Sequence, residues 1–203
     1  TAPAAAALAA LVTVGSDPER PFGPIRRSLL QPIRWWARLC LWCFGYWWVE
    51  TVRHPGSGGA RVLVVAPHYS LLDVFYLSYA EMPTAISKKA VASIPLVGRI
   101  ARAAQTIFVD RRDPSSKHRA AAELRRRATE PGWPPLLVFP EGTCTNGRAL
   151  IHFKAGAFAI GAPVQPITLE YGRDPLDVSS ASSDGYLRLL LAMLQPANRL
   201  RVT

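Results

Sequence analysis

Three segments of this sequence carry residue types and spacings that could do chemistry. The first is PHYSLLD, where His68 follows Pro67 at the end of the apolar run RVLVVA (61–66) and Asp73 comes five residues later. If a helix begins near Tyr69 or Ser70, that spacing is about one turn, and the carboxylate can reach back to the imidazole. A carboxylate held against one ring nitrogen fixes the tautomer and makes the other nitrogen a better base. A base of this kind takes a proton from a hydroxyl and is worth ~10²–10⁴-fold in rate. On spacing alone, a surface histidine beside an N-capping aspartate is the commoner arrangement.

The second segment is FPEGTCTNG (139–147), followed by FKAGAFAIGAPVQP (153–166). An apolar run that ends in Pro140-Glu141-Gly142-Thr143 offers backbone N–H groups and one carboxylate at a sheet edge. Glu141 could equally be a turn residue bound to local amides. Lys154 lies beside Gly156, and Gly161 and Pro163 shape a loop into the next strand. The third segment is FVDRRD (108–113), where Arg111 and Arg112 follow a strand. The planar fork of arginine suits phosphate oxygens, although a solvated charge run at a helix start reads the same way. Arg125, Arg126 and Arg127 are read as a solvated run on an exposed helical face. Cys40 and Cys43 stand in a CxxC spacing inside a Trp-rich apolar run with no second pair, which favours packing over zinc or redox work.

These groups need elements to hold them. From Arg61 onward, short apolar runs alternate with helical stretches. Strands are expected at 61–66, 84–87, 106–109, 135–139 and 164–171, and helices at 71–80, 94–104, 113–129 and 185–194. Asp113 is a plausible N-cap, with Pro114 at the first helical position. This alternation implies an α/β class with a mixed sheet flanked by helices. His68, Arg111 and Glu141 then all follow strands, at the sheet edge where such folds place reactive groups.

The N-terminal quarter is different. No basic residue precedes the apolar stretch 2–14, so a secretory signal is not indicated, and a trimmed membrane helix or a disordered leader are both open. Between 25 and 49, Arg27, Gln31, Arg34 and Arg38 recur at spacings of four, three and four, along one helical face. The other faces are apolar, with five Trp among residues 35–48. The apolar run Leu39–Val49 is too short to cross a ~30 Å hydrocarbon core. An in-plane or re-entrant membrane helix, with Trp at headgroup level and Arg reaching phosphates, is the favoured reading. A helix packed on the core is the other. The chain is therefore divided into a membrane-associated helical segment, 1–55, and a catalytic domain, 56–203, read as a fragment that stops inside a strand. A formal net charge of +10 favours anionic partners.

Taken together, four blocks resemble the glycerolipid (PlsC-like) acyltransferase family. They are His68-Tyr-Ser-Leu-Leu-Asp73, Phe108-Val-Asp-Arg111, Phe139-Pro-Glu141-Gly142-Thr143 and Val164-Gln-Pro166-Ile. Cys144-Thr145-Asn after the third block is most similar to the lysophosphatidylcholine and lysophosphatidylethanolamine acyltransferase branch; lysophosphatidic acid acyltransferases usually carry Arg-Ser there. The resemblance implies a glycerol-3-phosphate acyltransferase-like fold and transfer of a fatty acyl group from acyl-CoA to a lysophospholipid hydroxyl in phospholipid remodelling. Acylation of lysophosphatidic acid is the alternative. His68 would be the base and Asp73 its orienter; Arg111, Glu141, Gly142, Thr143 and Lys154 would hold the glycerophosphate, and Pro166 would shape the acceptor or acyl pocket. It implies no metal and no resident cofactor, only acyl-CoA as co-substrate. The partners would be a lysophospholipid and a membrane surface, not nucleic acid. The location would be the endoplasmic reticulum membrane with the active site facing the cytosol. Tyr69, bulky where small residues are common, and LDVSSASSDG (176–185), in place of a Trp-rich stretch, depart from the pattern. A hydrolase reading lacks a GxSxG elbow and would rest on Cys144.

Overall fold

The computed structural model describes residues 17–56, 59–149, 151–172 and 198–203, with residues 7, 9–11, 13–15 and 191. The helix expected at 185–194 and the departure at 176–185 lie outside the described residues, apart from Leu191.

From residue 17 onward the first helices are α1 (Pro24–Leu29) and α2 (Gln31–Cys43). Strand β1 (Trp48–Thr51) follows, then β2 (Val62–Val65), α3 (Leu71–Ala80), β3 (Thr84–Lys88), α4 (Val97–Ala103), β4 (Ile107–Val109), α5 (Pro114–Thr129), β5 (Leu136–Val138), β6 (Val164–Ile167), β7 (Leu169–Tyr171) and β8 (Arg199–Val202). Five strands form one sheet in the order β4-β3-β5-β2-β6, and every pair in it is parallel. Parallel neighbours need long crossovers, and α3, α4 and α5 supply them. A second sheet, β1-β8-β7, pairs β1 with β8 in parallel and β7 with β8 antiparallel. The α/β class holds, and the mixing of strand directions is confined to this second sheet.

β2 explains the layering. Its four residues are all buried, as a central parallel strand requires. Successive side chains face opposite ways. Leu63 and Val65 pack with Leu41, Leu72, Tyr76 and Leu77 of α2 and α3. Val62 and Val64 pack with Ala120, Leu124 and Ala128 of α5.

Several expectations need correction. The stretch 164–171 is two strands in two sheets, because Thr168 leaves the first ladder and exchanges backbone bonds with Thr203 at 2.8 and 3.1 Å. The helix expected from 94 starts at Val97, after Leu96 takes a φ of 65°. The Trp-rich run does not stay helical to Val49, since Trp48 opens β1 against Arg199. Arg127 is not on a solvated face: it is 6% exposed, its Nε reaches Glu123 at 2.5 Å, and it lies over the Trp133 ring at 4.1 Å. Burial of that charge is tolerated because it is paired and stacked. Cys43 is exposed rather than packed, and Cys40 is half-buried, its thiol pushed up to about 11 by burial and by Cys43.

The arginine stripe of α2 is also turned differently from its simplest reading. Arg34 donates to the last carbonyls of α3, Tyr79 at 2.8 Å and Ala80 at 3.0 Å. Arg38 donates to the carbonyl of Tyr46 at 2.9 Å and to that of Trp47. These two guanidinium groups satisfy helix-end and loop acceptors instead of pointing outward. The outward face of α1, α2 and the start of β1 is apolar: Ile25, Leu29, Trp35, Leu39, Trp42, Trp47 and Trp48 are all exposed. No helix among the described residues is long and apolar enough to cross a membrane.

Candidate active site

Because the five-stranded sheet is parallel, the segments after β2, β3, β4 and β5 leave from one edge. Those after β2 and β5, which are neighbours, build the site. His68 lies three residues past Val65, and Ser70 caps α3, accepting from Leu72 N at 3.2 Å. Asp73 is the reciprocal partner of that cap. Its Oδ2 accepts from Ser70 N at 3.0 Å, from Tyr69 N at 2.7 Å and from His68 Nδ1 at 2.8 Å. Capping and orienting a histidine are therefore done by one carboxylate. Asp73 is fully buried, and the hydrogen bonds stand in for the water it has lost.

The turn after β5 grips His68 from the other side. Glu141 is buried, and its Oε2 accepts from His68 N at 2.9 Å. Thr145 N donates to His68 O at 2.7 Å. Phe139 stacks on the imidazole, with ring centroids 3.7 Å apart and planes 16° apart. Both backbone groups and one ring face are thus fixed, with Nδ1 held by Asp73 and Cys144 also hydrogen-bonded to the ring.

Burial opposes charge on the ring, but hydrogen bonds to Asp73 and Cys144, with the charges of both groups, outweigh it. The pKa of His68 rises from 6.5 to about 9. The proton-accepting form therefore gains as pH rises through the alkaline range. Since Cys144 adds to the rise, Cys144→Ala should keep any turnover that depends on His68 within about tenfold while moving the alkaline limb of its pH profile to lower pH. Loss of all activity would instead make the thiol a nucleophile.

The other expected site residues are placed less uniformly. Gly142 adopts a φ of 66°, and a Cβ there would come within 2.5 Å of Lys154 Nζ, so Gly142 lets the lysine lie across the turn. Lys154 N also donates to Pro140 O at 2.9 Å. Thr143 is exposed at the same turn. Arg111 is exposed at the end of β4, and no hydrogen bond or ion pair engages it among the described residues. β4 is three strands from β2, or ~14 Å at ordinary strand spacing. Pro166 lies on β6 opposite Val64 and lines a cavity of about 50 Å³ with Thr51 and Tyr76, apart from the dyad.

Four contacts escaped the sequence reading: Phe139 on the ring, Thr145 on the His68 carbonyl, Cys144 beside the imidazole, and Tyr171. The Tyr171 phenol donates to Asp73 Oδ1. Strand alternation was the available signal, since it puts Ile167, Leu169 and Tyr171 on one face. Bulky Tyr69 fits because Gly147 has no side chain; a Cβ there would meet the Tyr69 hydroxyl at 2.7 Å.

The Acyltransferase family model matches residues 48–170, a stretch that contains His68, Asp73, Arg111, Glu141, Gly142, Thr143, Lys154 and Pro166. The chain belongs to the acyltransferase family. It is similar to lysophosphatidylcholine acyltransferase 2 of Mus musculus, at 38% identity over 190 residues, covering 91% of this chain and 35% of that protein. It is 43% identical over 148 residues to the lysophosphatidylcholine acyltransferase of Drosophila melanogaster, covering 70% and 27% of the two chains. It is 38% identical over 151 residues to the lysophospholipid acyltransferase LPEAT2 of Arabidopsis thaliana, covering 72% and 28%. This acyltransferase-family chain spans about a third of the length of the curated relatives it matches. Its fold matches the crystal structure of the 1-acyl-sn-glycerophosphate acyltransferase PlsC from Thermotoga maritima, with a TM-score of 0.62 at 21% identity, over 88% of this chain and 69% of that one.

Proposed function

We propose that this chain is the catalytic part of an acyl-CoA-dependent lysophospholipid O-acyltransferase that works on lysophosphatidylcholine or lysophosphatidylethanolamine at a membrane surface. The observation that carries the proposal is the buried Asp73 carboxylate holding Nδ1 of His68 at 2.8 Å on the catalytic edge of an acyltransferase-family sheet. His68 takes the proton of the free glycerol hydroxyl through Nε2. The oxygen attacks the thioester carbonyl, a C–O bond forms, the C–S bond breaks, and the CoA thiolate leaves with a proton returned from the imidazolium. No metal or resident cofactor enters this sequence of steps. Arg111, Lys154, Thr143 and the amides of the Glu141-Gly142 turn are the groups that would meet the glycerophosphate. Glu141 itself works through the His68 backbone. The test is product formation from acyl-CoA with a panel of lysophosphatidylcholine, lysophosphatidylethanolamine and lysophosphatidic acid. Turnover of the first two above the third is the expected result, and the reverse order would assign the acceptor to lysophosphatidic acid.

The apolar outward face of α1 and α2 supports the membrane surface as partner, because Trp35 and Trp48, 66% and 81% exposed, suit the headgroup level. Trp35→Glu with Trp48→Glu should reduce co-sedimentation with phosphatidylcholine vesicles several-fold and leave the fold unchanged. Equal binding by the variant would remove this face from the membrane. The endoplasmic reticulum, with the site toward the cytosol, is the location this reading implies.

A further inference from the structure

Three of the donors to Asp73 fall on Oδ2 and come from the adjoining segment, residues 68–70. Oδ1 is served differently. Its donor is the phenol of Tyr171, at the end of β7, in the other sheet and 98 residues along the chain. The Tyr171 ring is set edge-on between two others, 5.6 Å from Tyr46 at 82° and 5.4 Å from Tyr69 at 86°. That arrangement aims the hydroxyl at the carboxylate. Burial and the neighbouring carboxylate push the phenol pKa well above its ordinary value, so the group remains a donor.

We propose that Tyr171 is a positioning residue of the dyad: by hydrogen-bonding Oδ1 it fixes the carboxylate plane and limits the negative charge that Oδ2 presents to the His68 ring. The proposal rests on the reading of His68 as the base. The physical ground is that bonds in a low-dielectric chain polarise one another, so charge drawn to Oδ1 is charge withdrawn from Oδ2. With the phenol in place the imidazolium is held less tightly, and the base form is reached at lower pH. The other groups facing His68 are Glu141 and Cys144, from the turn after β5; Tyr46 and Tyr69 face the phenol. None of them is altered in Tyr171→Phe, which keeps the ring and removes only the hydroxyl.

Two readouts test the proposal on the whole chain in detergent micelles. The first is the titration of the His68 ring followed by NMR, in wild type and in Tyr171→Phe. The second is kcat and KM for acyl transfer from acyl-CoA to lysophosphatidylcholine between pH 6 and 10. In the variant the ring should titrate roughly 0.5–1 pH unit higher, kcat at pH 7.5 should fall ~3–10-fold, and the loss should shrink above the new midpoint, with both KM values within about twofold. A His68 titration that is unmoved or lower, or a kcat loss equal at every pH, would show that Tyr171 only packs. Incorporation of 3-fluorotyrosine at position 171, a stronger donor of the same shape, should move the titration downward; no movement there overturns the proposal even if Tyr171→Phe fails to fold. The ring titration does not depend on turnover. A wild type unable to acylate lysophospholipids would therefore contradict the function while leaving the effect of Tyr171 on His68 measurable.

Discussion

His68→Ala is expected to lower kcat for acyl transfer by ~10²–10⁴-fold with KM for acyl-CoA little changed. The reason for expecting so clean a kinetic effect is the way the residue is held. Glu141 Oε2 and Thr145 N bind the His68 main chain, at 2.9 and 2.7 Å, and neither contact involves the imidazole. The loop therefore keeps its shape when the ring is removed. What is lost is the proton acceptor and the stack on Phe139. Asp73 keeps its bonds from Tyr69 N and Ser70 N, so the start of α3 stays capped. Single-turnover kinetics, with thermal unfolding read in parallel, separates the chemical loss from any loss of fold.

Asp73→Asn is expected to lower kcat by ~10³–10⁴-fold, close to the effect of removing the base. The amide has the right shape, but its carbonyl can occupy only one of the two oxygen positions, and it brings no charge. Placed at Oδ2, it serves the two amides of the helix cap and leaves an NH₂ facing the Tyr171 phenol. The imidazole then loses the charged partner that raised its pKa toward 9. That shift also has a stability consequence. A raised pKa stabilises the folded chain below the unfolded value near 6.5, and the contribution is lost as pH rises through about 9. In Asp73→Asn this pH dependence should be reduced to the part owed to Cys144. Asp73→Ala is a harsher change, leaving a buried cluster of donors around an empty position, and should cost roughly 3–5 kcal/mol. Denaturant titrations of the two variants at pH 6 and pH 9 measure both effects.

The parts of the site that were legible in the sequence are those made by neighbours along the chain. His68 and Asp73 are five residues apart, and the helix that joins them begins at a Ser with its capping partner three residues on. The start of α5 was readable for the same reason, from Asp113 and Pro114. What was not legible depends on distant pairing. Glu141 meets a backbone amide 73 residues away, and Tyr171 meets a carboxylate 98 residues away. Strand alternation turns Tyr171 inward, but neither a single carboxylate in a turn nor a single aromatic at a strand end says which distant group it will meet. β1 was hidden inside an apolar run because four residues are too few to show a strand period, and its parallel partner β8 lies about 150 residues on. The helical period of α2 gave its faces but not which of them looks inward. Arg34 and Arg38 resolve this by binding carbonyls of α3 and of the following loop, which leaves the tryptophan face outermost.

The central claim is that His68, oriented by Asp73, removes the proton from the acceptor hydroxyl. The measurement that tests it most directly is the pH dependence of kcat for acyl transfer from acyl-CoA to lysophosphatidylcholine between pH 6 and 10, in wild type and in His68→Ala. The expected result is a wild-type rate that climbs with pH along a single limb with its midpoint near 9, where the imidazole gives up its proton, and a variant with only a low residual rate lacking that limb. A wild-type rate that does not change over this range, or a His68→Ala enzyme that keeps both rate and limb, would contradict it.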